Sequence, residues 1–205
     1  FMPTTPPPTT RTSAGGGGVV GMNAAKMAVG LGARVTVFDR SVPRLRYLSD
    51  IFDDSVTTRY SSNAALADAI KTADMVIGAV LVPGAAAPKL ITHEQLSTMQ
   101  AGAVLVDVAI DQGGCFETSR ATTHDEPTYV VDDIVHYCVA NMPGSVPRTS
   151  SEALNNVTLP YVVALADKGV DALNQDAHLS NGLNVKESKI VYQAVIDAIG
   201  EWSED

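Results

Sequence analysis

Gly16-Gly17-Gly18-Val19-Val20-Gly21 fits the spacing G-x-G-x-x-G and runs into a small-residue helical stretch, residues 21–31 (GMNAAKMAVGL), that Gly32 stops. Glycines at this spacing serve a tight turn, close approach of backbone to a pyrophosphate, and close packing of a helix on a strand. The helix start then offers unpaired N–H groups and the positive end of its dipole to phosphates. Taken alone the spacing is weak, and a flexible glycine linker satisfies it too. Asp39 adds a second signal. It stands 18 residues after Gly21, at the end of the strand-like residues 34–39 (RVTVFD). An acidic side chain there can accept a hydrogen bond from a ribose 2′-OH and would repel a 2′-phosphate. Arg40, next to it, weakens that second preference. Together these residues predict a dinucleotide site of the NAD type in contact with Gly16, Gly18, Val19, Val20, Gly21 and Asp39.

Working outward, strand-like and helical patterns alternate, which predicts a parallel sheet with crossover helices: an α/β, Rossmann-type, doubly wound domain over residues 15–147. Ser41 caps a second helix with Pro43 in its first turn, running to about residue 50. Residues 56–60 read as a short strand and 63–72 as an Ala-rich helix. Residues 75–80 (MVIGAV) read as a buried strand leading into a Pro-Gly loop at 81–88. Thr92 and Gln95 form a capping box, and residues 103–110 (AVLVDVAI) read as a further buried strand ending at Asp111. Weaker strand patterns cover 128–131 and 136–139. Beyond Pro147 the pattern turns helical, with 150–168 the longest piece and a mostly helical tail after it; residues 148–205 form a separate helical segment.

The fingerprint ordinarily follows a buried strand, yet the residues before Gly15 are TTRTSA. Residues 1–14, rich in Pro and Thr, read as a disordered tail, and the first strand of the sheet as absent or degraded. Either a foreign stretch precedes a partial chain, or its first residues have been altered.

Composition sets the outer bounds. The chain of 205 residues is 45% hydrophobic and 18% charged, an ordinary globular balance. Its net charge of -9 argues against nucleic acid, and no stretch approaches the roughly 20 apolar residues of a membrane span. Cys115 and Cys138 lack CxxC spacing, and read as reduced thiols of a cytoplasmic protein; no targeting peptide is evident.

Several consecutive segments are similar to the alanine dehydrogenase family, across nearly all of residues 15–200: GGGVVGMNAAKMAVGLGARVTVFD, GAVLVPGAAAPKLIT, VLVDVAIDQGGCFETSRATTH and PTYVVDDIVHYCVANMPGSVPRTS. The strings Ile110-Asp111-Gln112-Gly113-Gly114-Cys115 and Val139-Ala140-Asn141-Met142-Pro143 are the most specific. The NAD-binding subunit of the proton-pumping transhydrogenase shares fold and ancestry, but its pattern lacks Asp-Gln at this strand end. The resemblance implies that Asp39 takes the adenosine ribose and Ser61 lies near the adenine. It further implies that Val80, Leu81, Val139 and Met142 line the nicotinamide side. Asp111 would be the active-site carboxylate facing substrate, and Asn141 a neighbouring polar contact. It implies NAD-dependent oxidative deamination of L-alanine to pyruvate, in a cytoplasmic homo-oligomer, a hexamer. The alternative is a non-catalytic NAD-binding module or a transhydrogenase-like NAD-binding subunit. In the family the carboxylate of alanine and the catalytic histidine belong to a substrate domain that largely precedes the cofactor domain. That domain is not in this chain, which alone is expected to be inactive; its C-terminal helices would belong with that domain and with oligomer contacts.

Other residues read as structural. Asp107, mid-strand, reads as a satisfied carboxylate. His93, His124, His136 and His178 share no ligand spacing, so no metal site is expected. Cys115 reads as a small packed residue, and Glu201 to Asp205 as a solvated terminus.

Overall fold

The computed structural model describes residues 10–80 and 88–199. The chain divides into two compact units at the Met142–Pro143 bond. The first is an alternating α/β unit: β1 (Arg11–Gly15), α1 (Val19–Gly30), β2 (Arg34–Asp39), α2 (Val42–Phe52), β3 (Val56–Tyr60), α3 (Asn63–Ile70), β4 (Met75–Gly78), α4 (His93–Leu96), β5 (Val104–Asp107), β6 (Thr128–Val131) and β7 (Ile134–Tyr137). Among the described residues its seven strands form one sheet in the order β3-β2-β1-β4-β5-β7-β6. All neighbours are parallel except β6, which runs antiparallel to β7. The chain winds outward from β1 to β3, then returns to lay β4 on the other side of β1. Crossover direction therefore reverses between β1 and β4, and in open α/β sheets ligands bind at the carboxyl ends of the strands beside such a point.

The first strand, expected to be absent or degraded, is present, and the expected tail of residues 1–14 is corrected from residue 11 onward. Arg11–Gly15 pairs in register with β2 on one side and β4 on the other. Thr12, Ser13 and Ala14 are all buried although only one of them is apolar. Central position explains this: backbone hydrogen bonds on both flanks satisfy the strand, while neighbouring strands supply the apolar surface. Ala14 joins Val35, Val37, Leu48, Phe52, Val56 and Ala25 in one core cluster, packed with Met22 and Val29. A second cluster on the β4–β5 side gathers Ile70, Val76, Ile91, Leu96, Leu105, Phe116 and Ile134.

Local signals hold where they were read. Ser41 Oγ accepts from the Arg44 N–H at the start of α2, and Gln95 Oε1 accepts from the Thr92 N–H at the start of α4. The strand expected over 103–110 is shorter, and Asp107 is its last residue, not a mid-strand one. The Asp107 carboxylate accepts from the Ala109 N–H two residues on, a local turn that draws the backbone out of the ladder. Residues Ile110–Gln112 then form a short 3-10 turn, so Asp111 lies beyond the strand end, exposed.

The second unit comprises α5 (Pro147–Lys168), a 3-10 turn, α6 (Ala177–Ser180), a two-stranded hairpin of β8 (Val185–Lys186) and β9 (Lys189–Ile190), and α7 (Gln193–Ile199). This hairpin interrupts the tail, which is otherwise helical over α6 and α7. Glu187 and Ser188 both take positive φ, 51° and 61°, the geometry a two-residue hairpin turn requires. The expectations for residues 1–9, for Leu81 and most of the Pro-Gly loop, and for Glu201 to Asp205 lie outside the described residues.

Candidate dinucleotide site

A groove of about 530 Å³ opens at the carboxyl ends of β1, β2 and β4, lined by Gly16, Gly18, Val19, Val20, Phe38, Asp39, Arg40, Ser61, Ala79, Val80, Pro88 and Leu90. Seven of the residues read from the sequence meet here: Gly16, Gly18, Val19, Val20, Asp39, Ser61 and Val80. A slightly smaller groove, about 510 Å³, is polar and lies around Arg11, Arg34 and Arg59, away from the glycine turn.

The three glycines of the fingerprint do separate things. Gly16 has φ +103°, and a Cβ on it would lie 2.6 Å from the Ala79 carbonyl oxygen, so only glycine makes this turn. A Cβ on Gly21 would fall 1.7 Å from the Gly16 carbonyl oxygen, which is the close packing of α1 against the turn. A Cβ on Gly18 would meet nothing within 4 Å. Gly18 is the N-cap of α1 without a capping side chain, and helix geometry leaves the N–H groups of Val19, Val20 and Gly21 without partners inside the helix. Open space in front of uncapped amides, with a positive dipole end behind them, fits a diphosphate.

Two side chains hold that turn from opposite sides. Asp39, the last residue of β2, accepts from the Gly17 N–H at 2.8 Å and from the Ser41 N–H at 2.7 Å. Each carboxylate oxygen keeps a further lone pair for a ribose hydroxyl. Arg44, on α2, donates through Nε to the Gly17 carbonyl and through Nη2 to the Gly18 carbonyl at 3.5 Å. Arg40 lines the groove beside Asp39, so a cation stands next to the Asp39 carboxylate. Arg44 escaped the sequence reading; a basic residue in the first turn of the helix after Asp39 was its available signal.

The remaining expected site residues lie elsewhere. Asp111 is exposed on its 3-10 turn, Val139 is wholly buried and bridged to Thr122, and Asn141 is exposed with φ +57°. Met142 is half-buried at the start of the next 3-10 turn. None of these four lines the groove, and neither does Gly21, whose part is packing. The segment after Asp111 is nevertheless tied to the groove wall: the Leu90 N–H donates to the Cys115 carbonyl at 2.6 Å. Cys115 is buried, and burial pushes its thiol up to about 11, in keeping with a packed side chain. Asp107, also wholly buried, is satisfied by hydrogen bonds from Ala109, Cys115, Phe116 and Ser119. Among the described residues no three of His, Cys, Asp and Glu are grouped to hold a metal ion, and no helix is long and apolar enough to cross a membrane.

Comparison with known proteins follows the same lines. Residues 8–193 match the family described as "Alanine dehydrogenase/PNT, C-terminal domain". An alanine dehydrogenase of Halomonas elongata is 63% identical over 183 residues, 89% of this chain and 49% of that protein. A solved L-alanine dehydrogenase superposes with a TM-score of 0.83 at 52% identity, covering 92% of this chain and 52% of the other. A transhydrogenase from Sinorhizobium meliloti superposes at 0.65 and 28% identity, covering 76% and 45%. The chain thus spans about half the length of the relatives it matches. It belongs to the alanine dehydrogenase/PNT family, of which it carries the C-terminal domain.

Proposed function

We propose that this chain is the NAD(H)-binding part of an alanine dehydrogenase, which oxidatively deaminates L-alanine to pyruvate and ammonia. The observation that carries the cofactor half of this reading is the groove itself: uncapped amides of α1, the open face of Gly18 and the Asp39 carboxylate line one cavity. The alanine half rests on the 63% identity to an alanine dehydrogenase.

When bound, the nicotinamide ring supplies the acceptor for a hydride leaving the alanine Cα. The chain's own residues bind and orient. Backbone N–H groups from Val19 to Gly21 hold the diphosphate, and Asp39 takes the adenosine ribose, with Ser61 beside the adenine. Val80, with Leu81, Val139 and Met142 of the family pattern, belongs to the nicotinamide side, and Asn141 is a polar neighbour. Asp111 is assigned to the substrate, where an ionised carboxylate can stabilise a developing iminium charge or orient the water that hydrates it. By the same family relation the enzyme works in the cytoplasm as a homo-oligomer, a hexamer. The exposed Leu154, Val157, Leu159, Val162 and Leu165 of α5 support subunit contacts, since contiguous apolar surface ordinarily marks an interface.

Fluorescence titration with NADH tests the cofactor half, and saturable binding is expected. No binding at millimolar NADH would remove the reading. Binding with no alanine-dependent reduction of NAD by the oligomeric enzyme would favour the second reading, a non-catalytic or transhydrogenase-like NAD-binding subunit, which the likeness to the Sinorhizobium protein supports.

A further inference from the structure

Asp107 is wholly buried and all four of its hydrogen-bond partners donate to its carboxylate, yet no Lys or Arg forms an ion pair with it among the described residues. Three of its four donors lie in the stretch that follows Asp111: the Cys115 N–H at 2.7 Å, the Phe116 N–H at 3.3 Å and the Ser119 hydroxyl. On the other side of the same loop, Lys89 Nζ donates to the carbonyls of Gly113 at 2.6 Å, Gly114 at 2.9 Å and Phe116 at 3.3 Å. One peptide unit belongs to both sets. The amide joining Gly114 to Cys115 points its oxygen at the Lys89 ammonium and its N–H at Asp107 Oδ2.

A peptide dipole between a cation at its oxygen end and an anion at its N–H end is stabilised by both, and each charge polarises the bond that the other receives. The backbone is shaped for this. Gly113 and Gly114 both take left-handed φ, and a Cβ on Gly114 would lie 2.8 Å from Asp107 Oδ2. Lys89 stands between Pro88 and Leu90, two residues of the groove wall.

We propose that Lys89 and Asp107 form a charge pair bridged by the Gly114–Cys115 peptide, and that this pair fixes the loop carrying Asp111 relative to the cofactor groove. Lys89 is thus a positioning residue for the reaction proposed above, on which its link to Asp111 rests. The pair itself is a property of the folded chain and needs no cofactor.

Cys115 supplies the probe. Its thiol is wholly buried in the clamped loop, while Cys138, equally buried, directly follows β7, with the Tyr129 hydroxyl of β6 at 3.6 Å and Ser119 at 3.9 Å from its sulfur. Reaction with a disulfide reagent, resolved by peptide mass spectrometry, therefore reads the opening of each site. The measurement is made on the full chain without nucleotide, as parent, Lys89→Met and Lys89→Arg. Lys89→Met is expected to speed labelling of Cys115 about tenfold or more, the effect of losing one charge-assisted hydrogen bond or more. Cys138 keeps its rate, and Lys89→Arg, which retains the charge, restores most of the protection. Amide exchange in the peptide covering the Ile110–Gln112 turn rises with the Cys115 rate. An unchanged Cys115 rate, equal acceleration of both cysteines, or an arginine variant as open as the methionine one would overturn the pair. Unchanged exchange at Ile110–Gln112 would overturn its link to Asp111. A chain that labels as expected but binds no NADH would strike the cofactor reading alone.

Discussion

Gly18 and Gly21 stand three residues apart in one motif, and the structure predicts opposite consequences for giving each a methyl group. At Gly21 the new Cβ would fall 1.7 Å from a backbone oxygen, that of Gly16, and no rotamer change relieves a backbone contact. Overpacking of this kind costs about 1–3 kcal/mol, at the upper end when the obstacle cannot turn away. Gly21 is already helical, so alanine recovers up to about 1 kcal/mol of helix propensity. The net is a loss of about 2 kcal/mol, or about 4–8 °C in Tm for a chain of this size. At Gly18 the methyl meets nothing within 4 Å and φ is -64°, which alanine adopts freely. Stability should stay within about 0.5 kcal/mol. The same methyl stands where the diphosphate must approach the α1 amides, and a displaced phosphate costs about 1.4–3 kcal/mol, a ten- to hundredfold loss of NADH affinity. Scanning fluorimetry and NADH fluorescence titration on the two alanine variants separate the effects. Gly18→Ala binding NADH as tightly as the parent would refute the phosphate path, and Gly21→Ala melting with the parent would refute the packing argument.

Asp39→Ala removes a ribose acceptor together with the acceptor for the Gly17 and Ser41 amides; NADH affinity should fall about tenfold or more, and the gap between NADH and NADPH should narrow in paired titrations. An unchanged preference would take Asp39 out of the ribose role. Asp111→Asn, made in the oligomeric enzyme, should cut kcat far more than it changes the Kd for NADH, and equal losses in the two would move Asp111 from substrate to cofactor. His136 is wholly buried, its Nδ1 at 3.0 Å from the Ile134 carbonyl and its Nε2 at 2.8 Å from Thr118 Oγ1. That fits a neutral ring donating from Nδ1 and accepting at Nε2. Burial depresses its folded pKa below the ordinary 6.5, so below about pH 6.5 the unfolded chain takes up the proton first and stability falls with pH until the folded ring titrates. Urea midpoints at pH 7.5 and pH 5 should draw closer together in His136→Gln, and an undiminished gap would assign the acid sensitivity elsewhere.

What the sequence disclosed and what it hid divide by the kind of interaction. The glycine spacing, the 18-residue step to Asp39, the Ser41 cap and the Thr92–Gln95 box are local devices; each writes itself into neighbouring residues, and the tight turn, the strand-end place of Asp39 and both caps are seen in the structure. β1 was hidden because its strand character resides in its neighbours: Thr12 and Ser13 have no apolar side chains to display a period, and it is pairing with β2 and β4 that buries them. The site's supports were hidden for another reason. Arg44 on the Gly17 carbonyl, Lys89 on three carbonyls and Asp107 on three amides all bind backbone, and every residue type offers the same carbonyl. No partner identity exists for a pattern to record. The strand end at Asp107 belongs to the same class, since the carboxylate that turns the chain could equally have faced solvent.

The glycine loops at residues 16–18 and 113–114 are built alike. β2 ends in Asp39, which takes the Gly17 N–H, while Arg44 takes the Gly17 and Gly18 carbonyls. β5 ends in Asp107, which takes the Cys115 and Phe116 N–H groups, while Lys89 takes the Gly113 and Gly114 carbonyls. In each case an anion at a strand's carboxyl end meets the amide side of a glycine loop and a cation from another element meets its carbonyl side. Glycine leaves a loop entropically costly to order, and charge-assisted bonds from both sides offset that cost where a backbone must be presented in one conformation. Clearance for a ligand demands residues without Cβ, and preorganisation demands that they not move. Flanking opposite charges meet both demands at once, which is why the glycines alone were a weak signal and the glycines with Asp39 a strong one.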